Sequence, residues 1–487
     1  MRKVLGVLVV GLAILFAILV VNSLLLTSRQ IDVGVVEMIP VDPEAAVGRL
    51  ARVLRHRTIS HQDSAEFDAA PFLELHASLR TLFPRVHRTL RRERVTEYSL
   101  LYTWQGSDPT LQPLLLLAHM DVVPIEPGTE EDWEHPPFGG VVSDGILWGR
   151  GALDDKGSLV AELEAVETLL AGGFRPRRTI YLAFGHDEEV GGRDGAVKTA
   201  EVLGERGVRL AFVLDEGMAV TERLVPGTEV PVAAIGVAEK GFLSLKLTAT
   251  AQGGHSSNPP PITAIGALSR AIAKLESDQM PRRLAGPIEL SLDSLAPEMG
   301  FVPRLMIANR WLFEGLLLRW LERVPAANAM VRTTTAPTIL RGGVKENVLP
   351  SEVYAIVNFR ILPGDDLDAV VAHVRRVIDD PAVEVRPAGG TRRNPSPVSD
   401  VESPSFEVIH QSIREVFPET LVVPSLVLGG TDSRHYADVS DQVYRFGPVR
   451  INPENLETAH GTNERISVDN YVEMIQFYGQ LIRNAAG

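Results

Sequence analysis

Residues 114–121 read Leu-Leu-Leu-Leu-Ala-His-Met-Asp, a run apolar on every side until it ends in an imidazole and a carboxylate. A strand apolar on both faces belongs inside a largely parallel sheet covered by helices, because a face in contact with water would show alternation. Two further stretches repeat the pattern: 179–184 leads to Asp187, Glu188 and Glu189, and 210–214 leads to Asp215 and Glu216. Helical stretches at 157–172 and 192–206 separate them. Open α/β sheets bind ligands in the crevice beyond the carboxyl ends of their strands, so the three polar endings are expected to converge on one site.

Beyond this core the pattern changes. From about 237 there follow an alternating strand (242–251), a helix (262–276), strands near 333–342 and 351–361, a helix (366–379) and a strand near 383–387. That order suggests a small ferredoxin-like α+β domain inserted at 237–390, between a first part of the α/β domain (45–236) and a second (391–487). A chain of 487 residues is too long for one compact core, which agrees with two domains. Residues 43–90 read as helical, the Pro- and Ser-containing stretch 391–405 as a return linker, and 421–428 and 468–485 as a further strand and a final helix. Residues 281–330 interrupt the inserted domain and contain the strongly apolar 311–321. They are read as helix packed on its own domain, with a helix lying on a membrane or walling an acyl pocket as the alternative.

At the N-terminus, Arg2 and Lys3 precede a run from Val4 to Leu26 interrupted only by glycines and by Asn22 and Ser23. This is close to the ~20 residues a membrane-spanning helix needs. A cleaved signal peptide has a shorter apolar segment, roughly 7–15 residues, and a small-x-small cleavage site; none stands out at 22–28. The expectation is an uncleaved anchor at 1–28 with its basic flank in the cytoplasm and everything after it outside, followed by a stalk at 29–44. Secretion after cleavage is the alternative. The net charge of −14 excludes a nucleic-acid partner, which needs clustered Lys and Arg. With no cysteine in the chain, any transition-metal site must draw on His, Asp and Glu.

His119 and Asp121, two apart on a strand, face the same way, so the carboxylate can accept from the imidazole while the other ring nitrogen turns to a metal. The glycine-rich stretch 149–157 delivers Asp154 and Asp155 just before a helix, where Asp also serves as a plain cap. It has no Walker or dinucleotide spacing. Glu188 and Glu189 could be a solvated acidic run, but at a strand end opposite His119 they can divide the work of metal ligand and general base. His460, near the C-terminus, supplies a second imidazole. Two divalent ions add about +4 of charge, while Asp154, Glu189 and one of Asp215 and Glu216 supply about −3, so a pair of ions with bridging hydroxide nearly balances. Zinc suits such ligands. It would acidify water and polarise a scissile carbonyl, leaving Glu188 to take the water proton and pass it to the departing nitrogen.

These pieces, in this order, resemble the metallopeptidase family of aminoacylase, carboxypeptidase S, acetylornithine deacetylase and succinyl-diaminopimelate desuccinylase. The resemblance runs from about 45 to 485 and includes 117–124 (Leu-Ala-His-Met-Asp-Val-Val-Pro), Trp133 with Pro136-Pro137-Phe138, and 144–151 (Asp-Gly-Ile-Leu-Trp-Gly-Arg-Gly) leading to the Asp-Asp-Lys-Gly turn. It implies His119 on one ion, Asp154 bridging, Glu189 and His460 on the second, Glu188 as general base and Asp121 behind His119. Either Asp215 or Glu216 completes the set, with a leaning to Asp215. It further implies that His255, in Gly-Gly-His-Ser-Ser at 253–257, stabilises the oxyanion, in some members from the partner subunit of a homodimer. Asn347, Arg360, Thr431 and Arg434 resemble elements near the substrate, where an Arg fork suits a carboxylate. His135, His186 and His435 are read as structural.

The anchor, Leu-Asp-Glu-Gly at 214–217 and the extra apolar segment look most like the carboxypeptidase S-like branch, which includes N-fatty-acyl-amino-acid hydrolases that can run in the synthetic direction. The resemblance implies hydrolysis of an amide next to a free carboxylate, in an N-acyl amino acid or, as a carboxypeptidase or dipeptidase, in a small peptide. An inactive, membrane-tethered peptide-binding protein is the reading from another class; the presence of every ligand and of Glu188 counts against it.

Overall fold

The computed structural model describes residues 2–487. Its main sheet is mixed, mostly parallel and ten-stranded, with Leu114–His119 hydrogen-bonded in parallel to Ile180–Gly185 on one side and Phe212–Asp215 on the other. All six residues of that strand are buried. Leu114, Leu116 and Ala118 join a core with Leu159, Leu163 and Val166 of the helix Lys156–Ala171, whereas Leu115 and Leu117 join one with Ala196 and Leu203 of the helix Ala196–Glu205. The period-two geometry of a strand thus explains why the run had to be apolar throughout. Because the three strands run the same way, with Leu116 beside both Leu182 and Leu214, their carboxyl ends open on one edge.

Past Phe212–Asp215 the sheet continues through Val443–Arg445, which is parallel to it, then Val232–Glu239 and Leu421–Val427. Its other margin is an antiparallel hairpin, Arg91–Val95 with Ser99–Trp104. This hairpin is absent from the sequence expectation, since Arg91, Arg92, Glu93 and Arg94 look like a helix surface; an edge strand pairs on one side only and tolerates charge. The helical stretch expected at 43–90 is three helices, Pro43–Leu54, Ala70–Leu82 and Pro84–Thr89. Pro43, Pro71 and Pro84 each fall in a first turn, where the missing N–H costs nothing.

Between Glu239 and Leu421 the chain builds a second, four-stranded antiparallel sheet, ordered Thr334–Gly342, Glu352–Ile361, Gly241–Thr250, Val383–Pro387. Glu352–Ile361 buries Val353, Ala355, Val357, Phe359 and Ile361 under the helices Ala264–Ser277 and Leu367–Ile378, forming a core separate from that of the main sheet. Four helices, Pro287–Leu295, Phe301–Ala308, Arg310–Leu321 and Pro325–Val331, depart from this sheet. The first of them packs back on the main sheet, where the Ser291 hydroxyl donates to the Pro424 carbonyl at 2.6 Å.

Arg2–Leu24 is one helix of 23 residues, long and apolar enough to cross a membrane by length and composition. The segment 29–44, expected as a stalk, instead lies along the main body. The Gln30 carboxamide makes two hydrogen bonds to the Val422 backbone, at 3.0 and 2.8 Å, and Ile39 is buried against Gly479 of the last helix. Burial of Ile39 helps hold it down.

Candidate active site

His119 closes the central strand. Its Nδ1 lies 3.0 Å from the Asp121 carbonyl oxygen and 3.3 Å from Asp121 Oδ1. Its Nε2 therefore faces the crevice, 2.8 Å from Asp154 Oδ1 and 3.5 Å from Glu216 Oε1. Asp121 also accepts from the Ser60 hydroxyl and from the backbone N–H groups of Glu188 and Glu189, at 3.2 and 3.1 Å. One buried carboxylate thus orients the imidazole and fixes the loop that carries the paired glutamates. Burial alone would raise its pKa, but hydrogen bonds from His119, Ser60 and the Glu189 N–H outweigh it and hold the group below the usual carboxylate range.

The turn that presents Asp154 is shaped by a residue that sequence reasoning passes over. Glu464 is fully buried, pairs with Arg150 Nη1 at 2.6 Å, and accepts from the backbone N–H groups of Gly151, Leu153 and Asp154 at 3.0, 2.8 and 3.2 Å. Arg150 in turn donates to the carbonyls of His460 and Gly461, at 3.2 and 3.0 Å. This pair fastens the segment bearing Asp154 to the segment bearing His460. His460 has a backbone φ of 59°, a conformation that costs a non-glycine residue of order 1–3 kcal/mol. It brings Nε2 to 3.0 Å from Asp154 Oδ2 and 3.2 Å from Glu189 Oε1. Glu464→Ala would leave Arg150 buried without a counter-charge and three N–H groups without an acceptor. A loss of about 3–5 kcal/mol is expected, read as a lower denaturation midpoint; an unchanged midpoint would show that the turn is held by something else.

Two donor groups result, His119–Asp154–Glu216 and Asp154–Glu189–His460, each with its ligand atoms within 4.8 Å of one another. Asp154 belongs to both. Each group pairs an imidazole with carboxylates, and the shared carboxylate suits two adjacent cations, so the residues present fit a dinuclear zinc centre. The electrostatics agree. Burial, then Asp154 and Asp155, push the Glu216 carboxyl well above its ordinary range. Burial and Asp432 do the same to Glu188, and hydrogen bonds with Asp154 and Glu189 raise His460 to about 10. Crowded negative charge contributes to all three, and divalent cations relieve it.

Asp215, to which the resemblance leans, is not a member of either group among the described residues. Both its oxygens are committed to backbone, Oδ2 accepting from the Ser433 N–H at 2.7 Å and Oδ1 from the Glu216 N–H at 3.0 Å. Successive residues at a strand end point opposite ways, and Glu216 is the one that faces His119.

Three guanidinium groups gather beside this centre. Arg360 stacks over the Phe242 ring at 4.8 Å, and any side chain at Gly430 would run into Arg393 Nη2 and Arg434 Nη1. Burial, then Arg434, lower the Arg393 pKa to about 10, with Arg360 adding to the repulsion and Glu239 and Glu188 opposing it. Arg360 is likewise lowered, by burial and Arg434. Arg393 escaped notice in sequence because it sits in the stretch that reads as a linker. Thr431 is buried, and its N–H and hydroxyl both go to Glu239 Oε1, at 3.2 and 2.9 Å. These bonds fix the loop that carries it.

His255 is not brought into the centre. It is exposed on the two-residue strand Gly254–His255, paired with Val348–Leu349, and its Nδ1 is 2.7 Å from the Ser257 hydroxyl. Asn347 lies beside it, its carbonyl accepting the Ser256 N–H at 3.1 Å and its side-chain oxygen buried without a partner. His186 Nδ1 is 2.7 Å from the Ser99 hydroxyl, His135 packs edge-on against Trp148, and His435 accepts from Arg434 Nε at 3.2 Å. Among the described residues none of these three belongs to either donor group.

Residues 115–484 match the model of "Peptidase family M20/M25/M40". The chain is 39% identical over 476 residues to "Probable carboxypeptidase S-like 2" of Dictyostelium discoideum, spanning 96% of this chain and 91% of that protein. It is 42% identical over 432 residues to "N-fatty-acyl-amino acid synthase/hydrolase PM20D1" of Mus musculus, spanning 88% and 85%. Among solved structures, an M20 family metallo-carboxypeptidase, Sso-CP2 from Sulfolobus solfataricus, superposes with a TM-score of 0.64 at 19% identity, covering 90% of this chain and 98% of that one.

Proposed function

This chain belongs to peptidase family M20/M25/M40 and is a zinc-dependent hydrolase of amide bonds in N-acyl amino acids or small peptides, and we propose that its substrate is an amino acid with a free carboxylate bearing a long N-acyl chain. The observation that carries the carboxylate is the cluster of Arg360, Arg393 and Arg434, three mutually repelling cations near Glu188. The relative named for N-fatty-acyl amino acids supports the acyl chain.

In this proposal His119, Asp154 and Glu216 hold one ion and Asp154, Glu189 and His460 the other. When bound, the pair supplies the Lewis acidity that polarises the amide carbonyl and acidifies water. Glu188 takes the proton from water and delivers it to the departing nitrogen, while Asp121 keeps Glu188 and His119 in position. The arginines hold the carboxylate so that the amide, rather than the acyl tail, meets the base. His255, exposed on the two-stranded ribbon with Val348–Leu349, donates to the oxyanion in the site of a partner copy, which makes the working form a homodimer. Asn347 sits on the same loop cluster and enters with it. The helix Arg2–Leu24 anchors the enzyme with its catalytic part outside the cytoplasm.

Comparing N-oleoyl-phenylalanine, N-acetyl-phenylalanine and N-oleoyl-phenylalaninamide tests the reading. The oleoyl acid is expected to be turned over fastest; masking the carboxylate, or Arg393→Met, is expected to cost about 2–5 kcal/mol in kcat/KM. Equal rates on the oleoyl and acetyl acids would sink the long-chain assignment, and full activity on the carboxamide would sink the carboxylate pocket. The ligand assignment has its own test. Metal analysis of Glu216→Gln is expected to show loss of one of the two ions, and of Asp215→Asn to show both retained; the reverse pattern would return the role to Asp215.

A further inference from the structure

We propose that the outward faces of the helices Phe301–Ala308 and Arg310–Leu321 are seated in the bilayer leaflet at which the N-terminal helix ends, forming a second, interfacial membrane contact with anionic phospholipid. The inference rests on the reading of Arg2–Leu24 as membrane-spanning and is independent of the substrate assignment.

The two helices are locked to the end of that span. The Asn309 carboxamide is fully buried, accepts from Asn22 Nδ2 at 2.8 Å and donates to the Leu19 carbonyl at 2.9 Å. The Arg304 guanidinium donates to the carbonyls of Ser23 and Leu26, at 2.8 and 2.7 Å, placing a cation where the helix presents its unpaired carbonyls. Wherever the last turn of the span lies, these two helices lie beside it.

Their outward surface has the composition of an interfacial face. Leu312, Leu316 and Trp320 stand four residues apart and so form one row, with Trp311 beside it and Phe301 and Val302 on the preceding helix. They are exposed by 44, 52, 46, 65, 53 and 64% respectively. The inner face is already satisfied, since Leu317, Leu318 and Leu321 are buried against Ile288 and Leu292. The outer row nevertheless keeps much of its apolar surface exposed, and an apolar face of this kind marks an interaction site. Paired tryptophans at the boundary of a span are the side chains that favour the headgroup level. Behind the row is a cavity of about 530 Å³ lined by Met299, Val302, Met306, Leu316 and Trp320, with Arg319 and Arg323 also in its wall. It offers apolar depth and cations for a phospholipid with an acidic headgroup.

The full chain, reconstituted into phosphatidylcholine–phosphatidylglycerol vesicles carrying a lipid brominated in its upper acyl chain, provides the test. Retention on the vesicles after alkaline carbonate washing reports the span, and quenching of tryptophan emission reports the face. Trp104, Trp133 and Trp148 are buried in the protein body, so the expected result is retention with quenching, and loss of the quenching, with retention kept, when Trp311→Phe and Trp320→Phe are combined. Retention without quenching, or quenching unchanged in the double variant, would overturn the inference while leaving the span intact. Failure of retention would overturn the span and the inference with it.

Discussion

Glu188→Gln is expected to lower kcat about 10²–10⁴-fold, the contribution of a positioned general base, with zinc content and denaturation midpoint unchanged. The amide keeps the size and polarity of the side chain, and the loop is held from below. Asp121 accepts from the backbone N–H groups of residues 188 and 189, contacts that the substitution leaves in place. Glu189 cannot take over, because its carboxylate is engaged with His460 at 3.2 Å, in the group with Asp154. Steady-state kinetics on the best N-acyl substrate, with metal analysis of the same sample, checks this. A loss smaller than tenfold would remove Glu188 from the role of base, and loss of zinc would make it a ligand instead. The inactive binding-protein reading predicts no turnover in the parent chain and is decided by the same assay.

Removing the metal is expected to abolish turnover and to lower the unfolding midpoint of the domain that carries the site. Ions present at about 1,000 times their dissociation constant stabilise a fold by about 4 kcal/mol. Here their removal also leaves Asp154, Glu188, Glu189 and Glu216 crowded together, with burial opposing their charged forms at Glu188 and Glu216. Zinc returned to the stripped protein is expected to restore both properties in the parent chain, and only the midpoint in Glu188→Gln. That contrast separates holding the ions from moving the proton. Turnover that survives exhaustive chelation would defeat the assignment of the two donor groups.

Much of this was legible in the residues themselves. The apolar run at 114–118 required a strand buried on both faces, and its repetition before Glu188 and before Asp215 required parallel neighbours, so the convergence of their polar endings followed from strand direction alone. Hydrophobic periodicity likewise outlined the elements of the second sheet. The charged hairpin strand Arg91–Val95 was hidden because an edge strand shares its composition with a helix surface. The docking of 29–44 was hidden because Ile39 is meaningful only beside Gly479, far along the chain.

Local pattern and chemistry determined the sheet, the donor types and, through the order of the motifs, the family. Only the tertiary structure decided which donors meet. Glu216 rather than Asp215 faces His119, because a strand end turns adjacent side chains apart. Glu464 and Arg150 bind two distant segments into one site, Arg393 arrives from a stretch that reads as linker, and His255 stays outside the centre of its own chain. Periodicity is a property of neighbouring residues and is written in their order, whereas the partners of a buried charge come from wherever the fold brings the chain back, and no local pattern records that.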